Sequence, residues 1–248
     1  NRQRRPCRCR TNDAARWPRL AGDQPMNLIE YADREMMALD VANILTGALE
    51  NSLFHTERAS LAVPGGSTPG PIFDSLAAVD LHWSRIDVLA TDERFVPDGD
   101  VRSNARLIRE RLLTDRAASA NLLSYHSALS DPEAAAAAQQ EDVAAMLPIS
   151  VLLLGMGADM HVASLFPGAS GLEKALAPDA PPLVALYPDS QPEARLSLSA
   201  ATLNGALSKH LVITGIDKRD ALENAVSLSP KEAPVKAILT DLSIHWAP

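Results

Sequence analysis

The chain has 248 residues, 46% hydrophobic and only 4% aromatic, enough to bury one substantial core of an alanine-rich α/β protein. It has no apolar stretch of about 18 residues or more, which excludes a membrane-spanning helix within it. The formal charge of −8 hides a split: residues 1–25 carry seven arginines against two aspartates, so the remainder is more acidic still, which argues against a general nucleic-acid binder.

Those first 25 residues also hold both cysteines, Cys7 and Cys9, and lack the apolar centre of a secretory signal. A Cys-x-Cys pair without further partners is a poor zinc site, and a body free of cysteine suits a reducing cytoplasm. Because Met26 opens the first patterned segment, residues 1–25 read as a disordered basic extension ahead of one domain over 26–248.

From Asp33 to about Leu53, apolar residues recur at steps of three and four, which predicts an amphipathic helix capped by Asp33. A strand over Ala59 to Val63 follows, then the loop Pro64-Gly65-Gly66-Ser67-Thr68-Pro69-Gly70 and a helix to about Ala78. Thr68 is the expected cap and Pro69 the first helical residue, so that free N–H groups face the loop. Such a helix start is a natural seat for a phosphate, although no lysine follows as in a nucleotide P-loop. Proline at 69 also breaks the pattern of a nucleophile elbow.

Ile86 to Ala90 is a further expected strand, ending in Asp92-Glu93-Arg94. Three consecutive charges there are not expected as core; they predict a salt-bridged rim or the lip of a site. Ser103-Asn104 begins a helix to about Leu113. One alanine-rich helix is expected from Asp131 to Pro148. Ile149 to Leu154 is too short for a confident helix and reads as a strand covered on both faces. It empties into Gly155-Met156-Gly157-Ala158-Asp159-Met160-His161, which puts an acid and a histidine at the sheet's lip. An ordinary strand-to-loop turn carries the same residues. The third glycine of a dinucleotide fingerprint is absent, since position 160 is methionine.

Strands over Leu183 to Leu186, Arg195 to Leu198, His210 to Thr214 and Leu242 to Trp246 complete the pattern, with a short helix over Ser199 to Ala206 and another carrying Lys218. Alternating strands and helices predict α/β architecture: a single Rossmann-like domain, its sheet mostly parallel with helices on both faces.

Taken together, Gly65-Gly66-Ser67-Thr68-Pro69, Asp92-Glu93-Arg94-x-Val96-Pro97 with Ser103-Asn104, and Gly155-x-Gly157-x-Asp159-x-His161-x-Ala163-Ser164-Leu165-Phe166-Pro167 resemble the 6-phosphogluconolactonase family, within the glucosamine-6-phosphate isomerase/deaminase-like proteins. The resemblance runs from about Leu28 to the C-terminus. It implies a cytoplasmic hydrolase of the pentose phosphate pathway that opens 6-phospho-D-glucono-1,5-lactone without metal or organic cofactor. By position it implies His161 as general base with Asp159 beside it. Gly65, Gly66, Ser67, Thr68, Arg195 and Lys218 would hold the phosphate, and Asp92 and Arg94 would line the site. The expected partner is a sugar-phosphate lactone, not nucleic acid or membrane, bound by a monomer or weak homodimer.

Phe166 stands where the related deaminases carry a glutamate in Ala-Phe-Asn-Glu-Pro, so hydrolysis is expected over isomerisation. An isomerase/deaminase and a catalytically silent sugar-phosphate sensor are the alternatives. One position departs from the family: Met160 replaces a usual glycine. A positive φ there would strain the methionine and is expected to shift His161 and lower activity.

Overall fold

A computed structural model describes residues 26–97, 99–126 and 128–248; the expected extension over residues 1–25 lies outside them. The strands are β1 (Asn27–Glu30), β2 (Ala59–Val63), β3 (Ile86–Ala90), β4 (Asp92–Arg94), β5 (Asn121–Leu123), β6 (Val151–Gly155), β7 (Leu183–Leu186), β8 (Arg195–Leu198), β9 (Ser208–Thr214) and β10 (Leu242–Ala247). The helices are α1 (Arg34–His55), α2 (Gly70–Ala77), α3 (Asn104–Arg111), α4 (Pro132–Ala138), α5 (Gln140–Ala144), α6 (Leu172–Leu176), α7 (Ala200–Asn204) and α8 (Ile216–Ala225). Among the described residues no helix is long and apolar enough to cross a membrane.

Seven strands form one sheet in the order β1-β10-β9-β6-β2-β3-β5, every neighbour parallel. This is the expected α/β class. β2 and the first four residues of β6 are wholly buried, which explains their unbroken apolar runs. Where these two strands meet, Leu61 pairs with Val151 and Ala62 with Leu152. Ser60 and Ser150 lock the joint, each backbone N–H donating to the other's hydroxyl at 3.0 Å. Crossovers run from β2 toward β3 and from β6 toward β9, in opposite directions. The carboxyl ends of β2 and β6 therefore flank the topological switch point, where open parallel sheets hold their ligands.

Several expectations are corrected. β7 and β8 do not join the main sheet; with β4 they form a separate antiparallel sheet in the order β4-β8-β7. β1, at the start of the described residues, forms one edge of the main sheet beside the last strand, β10. The alanine-rich helix divides at Gln139 (φ −99°, ψ 0°) into α4 and α5. The side chain of Gln140 explains the break: it accepts from Leu183 N at 3.1 Å and donates to Leu183 O at 2.5 Å, tying the chain to the backbone of β7. Asp33 caps α1 as expected, accepting from Met36 N at 2.8 Å.

Asp92 and Glu93 are buried, not an exposed rim. Glu93 accepts from the N–H groups of Arg94, Asn104 and Ala105 at 2.7–2.8 Å and from Ser103 Oγ at 3.0 Å. A carboxylate so placed satisfies the free donors at the start of α3 and complements its dipole, which offsets the desolvation of its charge.

A second buried polar chain ties the N-terminal segment to the sheet. Ser208 Oγ meets His210 Nε2 at 2.8 Å, His210 Nδ1 meets His245 Nε2 at 3.1 Å, and His245 Nδ1 meets Tyr31 Oη at 2.9 Å. Tyr31 Oη donates to Asp40 Oδ2 at 2.8 Å. Because that hydroxyl spends its proton on Asp40, it accepts from His245 Nδ1–H. His210 Nδ1–H then donates to His245 Nε2, and Ser208 donates to His210 Nε2. One direction of donation runs through the chain, with both rings neutral.

Candidate active site

Loops leaving the carboxyl ends of β2, β3, β6 and β9 enclose a cleft of about 390 Å³. Of the residues singled out in the sequence, Gly65, Gly66, Ser67, Thr68, Asp92, Arg94, His161, Arg195 and Lys218 all line it. Asp159 stands behind His161, with its Oδ1 2.5 Å from His161 Nδ1.

The Asp159–His161 pair owes its geometry to the curled loop after β6. Met160 has φ +65° and Ala163 φ +48°, both left-handed, and the turn closes through Gly157 N to His161 O and Met160 N to Gly157 O, each at 3.0 Å. The left-handed site at 160 suits the glycine that the resemblance predicts. In this turn the imidazole is bonded to Asp159 and lies on Phe166, with ring centroids 4.1 Å apart and planes at 25°. Met160→Gly is accordingly expected to leave kcat essentially unchanged and to alter stability by less than about 1 kcal/mol, since relief of strain and loss of a packed side chain oppose each other. A kcat gain of about tenfold would show that the methionine does displace the histidine.

Burial acts to raise the pKa of Asp159, but the hydrogen bond and charge of His161, helped by backbone N–H groups, outweigh it and hold the carboxyl below its ordinary range. An ionised carboxylate only accepts, so His161 Nδ1 turns an N–H toward it, and in the neutral ring Nε2 then holds the lone pair. Nε2 has no hydrogen-bond partner among the described residues.

Gly157 is needed by this pair and not by its own backbone. A Cβ there would sit 2.2 Å from His161 Nδ1 and 2.4 Å from Asp159 Oδ1. Gly157→Ala is expected to lower kcat by roughly 10²-fold or more, as loss of a placed base does, while thermal melting shows the fold intact. Activity near that of the parent would mean that the pair has no catalytic part.

On the wall formed by β4 and β8, Arg94 and Arg195 are direct cross-strand partners. Like charges so placed repel unless an anion lies between them. Burial first, then the charge of Arg94, lowers the pKa of Arg195, against the pull of Asp92 and Glu93. The Nε of each guanidinium is buried without a hydrogen-bond partner, whereas Arg94 Nη1 donates to Arg102 O at 2.5 Å and Arg195 Nη2 to Gln191 Oε1 at 2.7 Å. Two unused guanidinium donors at one wall suit an oxyanion. Across the cleft, burial and the charge of Arg34 lower the pKa of Lys218, which has no partner among the described residues.

One expected detail differs. Thr68 does not cap α2, which begins at Gly70 with Pro69 in the cap position and no side-chain bond, because Pro69 is already helical (φ −76°, ψ −9°). Asp92 lines the cleft, but its carboxylate is engaged: Oδ2 accepts from the buried Ser164 Oγ at 2.5 Å and Oδ1 from Thr91 Oγ1 at 3.3 Å. It ties β4 to the β6 loop.

Sequence reasoning left Asn104 and Gln191 without roles. Asn104 donates to Asp92 O at 2.7 Å, and its Oδ1 would lie 2.0 Å from a Cβ on Gly65, so the first glycine of the loop makes room for it. The joint appearance of Gly65 and Asn104 in the motifs was the available signal. Gln191 sits in the loop before β8 with no patterned neighbours, and nothing in the sequence marks it.

A family model described as glucosamine-6-phosphate isomerases/6-phosphogluconolactonase matches residues 32–246, and the chain belongs to that family. Within it, the chain is 41% identical over 229 residues to the 6-phosphogluconolactonase of Rhizobium meliloti (strain 1021), covering 90% of this chain and 99% of that one. It is 39% identical over 215 residues to the 6-phosphogluconolactonase of Pseudomonas aeruginosa, covering 85% and 90%. The crystal structure of a 6-phosphogluconolactonase from Shewanella baltica OS155 is 29% identical, with a TM-score of 0.87 over 90% of this chain and 98% of that one. A monomeric glucosamine-6-phosphate deaminase, 18% identical, shares the fold with a TM-score of 0.72. Fold alone thus does not separate hydrolysis from deamination.

Proposed function

We propose that the protein hydrolyses 6-phospho-D-glucono-1,5-lactone to 6-phospho-D-gluconate in the pentose phosphate pathway, with His161 as general base. The observation that carries this reading is the Asp159–His161 pair opening onto the cleft, in a chain whose relatives at 35–41% identity bear the name 6-phosphogluconolactonase.

Water is a weak nucleophile toward a lactone carbonyl at neutral pH. Nε2 of His161 takes its proton as the water oxygen bonds to C1. The resulting oxyanion collapses, the bond from C1 to the ring oxygen breaks, and Nε2–H returns the proton to that oxygen. Asp159 holds the ring in the right tautomer and steadies its charged form between the two transfers. Phe166 fixes the plane of the imidazole and occupies the place of the deaminases' proton-transferring glutamate.

The phosphate, remote from the breaking bond, is held in this reading by the Gly65–Thr68 loop with Arg195 and Lys218, and Arg94 joins them at the wall. Its binding energy holds the lactone in a reactive orientation. In this reading the enzyme works as a monomer or weak homodimer, measurable by sedimentation at micromolar concentration. The body free of cysteine supports a cytoplasmic enzyme.

The test compares 6-phosphogluconolactone with unphosphorylated gluconolactone, each corrected for spontaneous opening. Acceleration strongly favouring the phosphorylated lactone is expected. Binding of 6-phosphogluconate without acceleration would instead favour a sensor, and release of ammonia from glucosamine 6-phosphate a deaminase.

A further inference from the structure

Gln191 lines the cleft with half of its hydrogen-bonding capacity unused. Its Oε1 accepts from Arg195 Nη2 at 2.7 Å, and this bond fixes which way the carboxamide faces, because the opposite rotamer would set N–H groups against a guanidinium that only donates. Nε2 is therefore turned away from Arg195, on a half-buried residue at the cleft wall, and both its hydrogens lack a partner among the described residues.

Around it lie Arg195, Arg94 and Glu193. Glu193 pairs with Arg102 and also, at 3.8 Å, with Arg195 Nη2, which leaves the Nε of Arg94 and of Arg195 without a partner. A neutral amide at 191 adds donors to this wall without cancelling its charge. A carboxylate at the same place would pair with Arg195 and repel an incoming anion.

We propose that Gln191 is a specificity-determining residue, its Nε2 donating to the substrate phosphate at the wall where Arg195 binds it. The inference rests on the lactonase reading for the identity of the anion. The same donors would also suit an oxyanion at the reacting carbon, and the experiment separates the two.

The measurement is steady-state kinetics of the full chain and of its Gln191→Met and Gln191→Glu variants on 6-phosphogluconolactone and on unphosphorylated gluconolactone, with calorimetric titration of inorganic phosphate. Met keeps the length and loses the amide. Loss of a hydrogen bond to a charged group predicts a roughly tenfold or larger rise in KM for the phosphorylated lactone in Gln191→Met, a smaller change in kcat, and a matching fall in the preference for it. Gln191→Glu is expected to do worse, and phosphate affinity to follow the same order. Equal losses on both lactones would place the anion at the reaction centre and overturn the proposal, as would an unchanged KM with unchanged phosphate affinity. If the parent chain opens neither lactone, the lactonase reading alone fails, and the phosphate titration then decides the role of Gln191.

Discussion

His161→Ala is expected to slow catalysed opening of 6-phosphogluconolactone by about 10²- to 10⁴-fold, the usual contribution of a placed general base. The effect belongs to kcat, because the groups assigned to the phosphate stay in place and hold the lactone as before. Spontaneous opening sets the floor of the assay and has to be subtracted. Asp159→Asn tests the second half of the pair. An amide nitrogen beside Nδ1 stabilises the tautomer with its lone pair on the wrong nitrogen, so a large loss in kcat is expected there too. Full activity in His161→Ala would remove His161 from the mechanism, and with it the observation on which the assignment stands.

Acid is expected to destabilise the fold well before its carboxylates are protonated. Burial is the first cause that lowers His210 and His245 to about 4 each, from 6.5; for His245 the neighbouring His210 lowers it further, against the charge of Asp40. The unfolded chain therefore binds protons that the folded chain refuses as pH falls below 6.5. Stability is complete above that value and is lost progressively toward pH 4. Each ring accounts for about 2 kcal/mol at pH 5, with about 4 kcal/mol as a ceiling for the pair. Protonating either ring also reverses a donor in the one-way chain from Ser208 to Asp40, so the joint between α1, β9 and β10 weakens first. Denaturant unfolding at pH 7 and pH 5 measures this. A stability that is flat between those values would refute the neutral, hydrogen-bonded arrangement of the two rings.

Much of this architecture was legible before any coordinates. β2 and β3 fall on the expected residues because their apolar runs are bounded by turn residues, and α1 follows its periodicity and its aspartate cap. What stayed hidden depends on partners distant in sequence. The three- and four-residue strands β5 and β1 carry too little pattern to register. β7 and β8 were visible as strands, but no local feature tells an antiparallel side sheet from a parallel main one. Glu93 looked like surface because the backbone donors that satisfy it arrive from α3, 11 and 12 residues later. The Asp159–His161 pair was legible because its two residues lie two positions apart, whereas Gln191 stands out only through its bond to Arg195.

The joint between β2 and β6 has a kinetic consequence. It is the shortest in the main sheet, with two registered residue pairs, and it unites segments 90 residues apart. Closing so large a loop is costly in chain entropy before any contact offsets it, and such non-local pairings form slowly. Gly65 and His161 follow the two strands of this joint, so neither segment holds a working cleft until the joint closes. On refolding, recovery of activity will trail the return of helical signal from α1 and the other local elements. Turnover thus reports a late stage of folding.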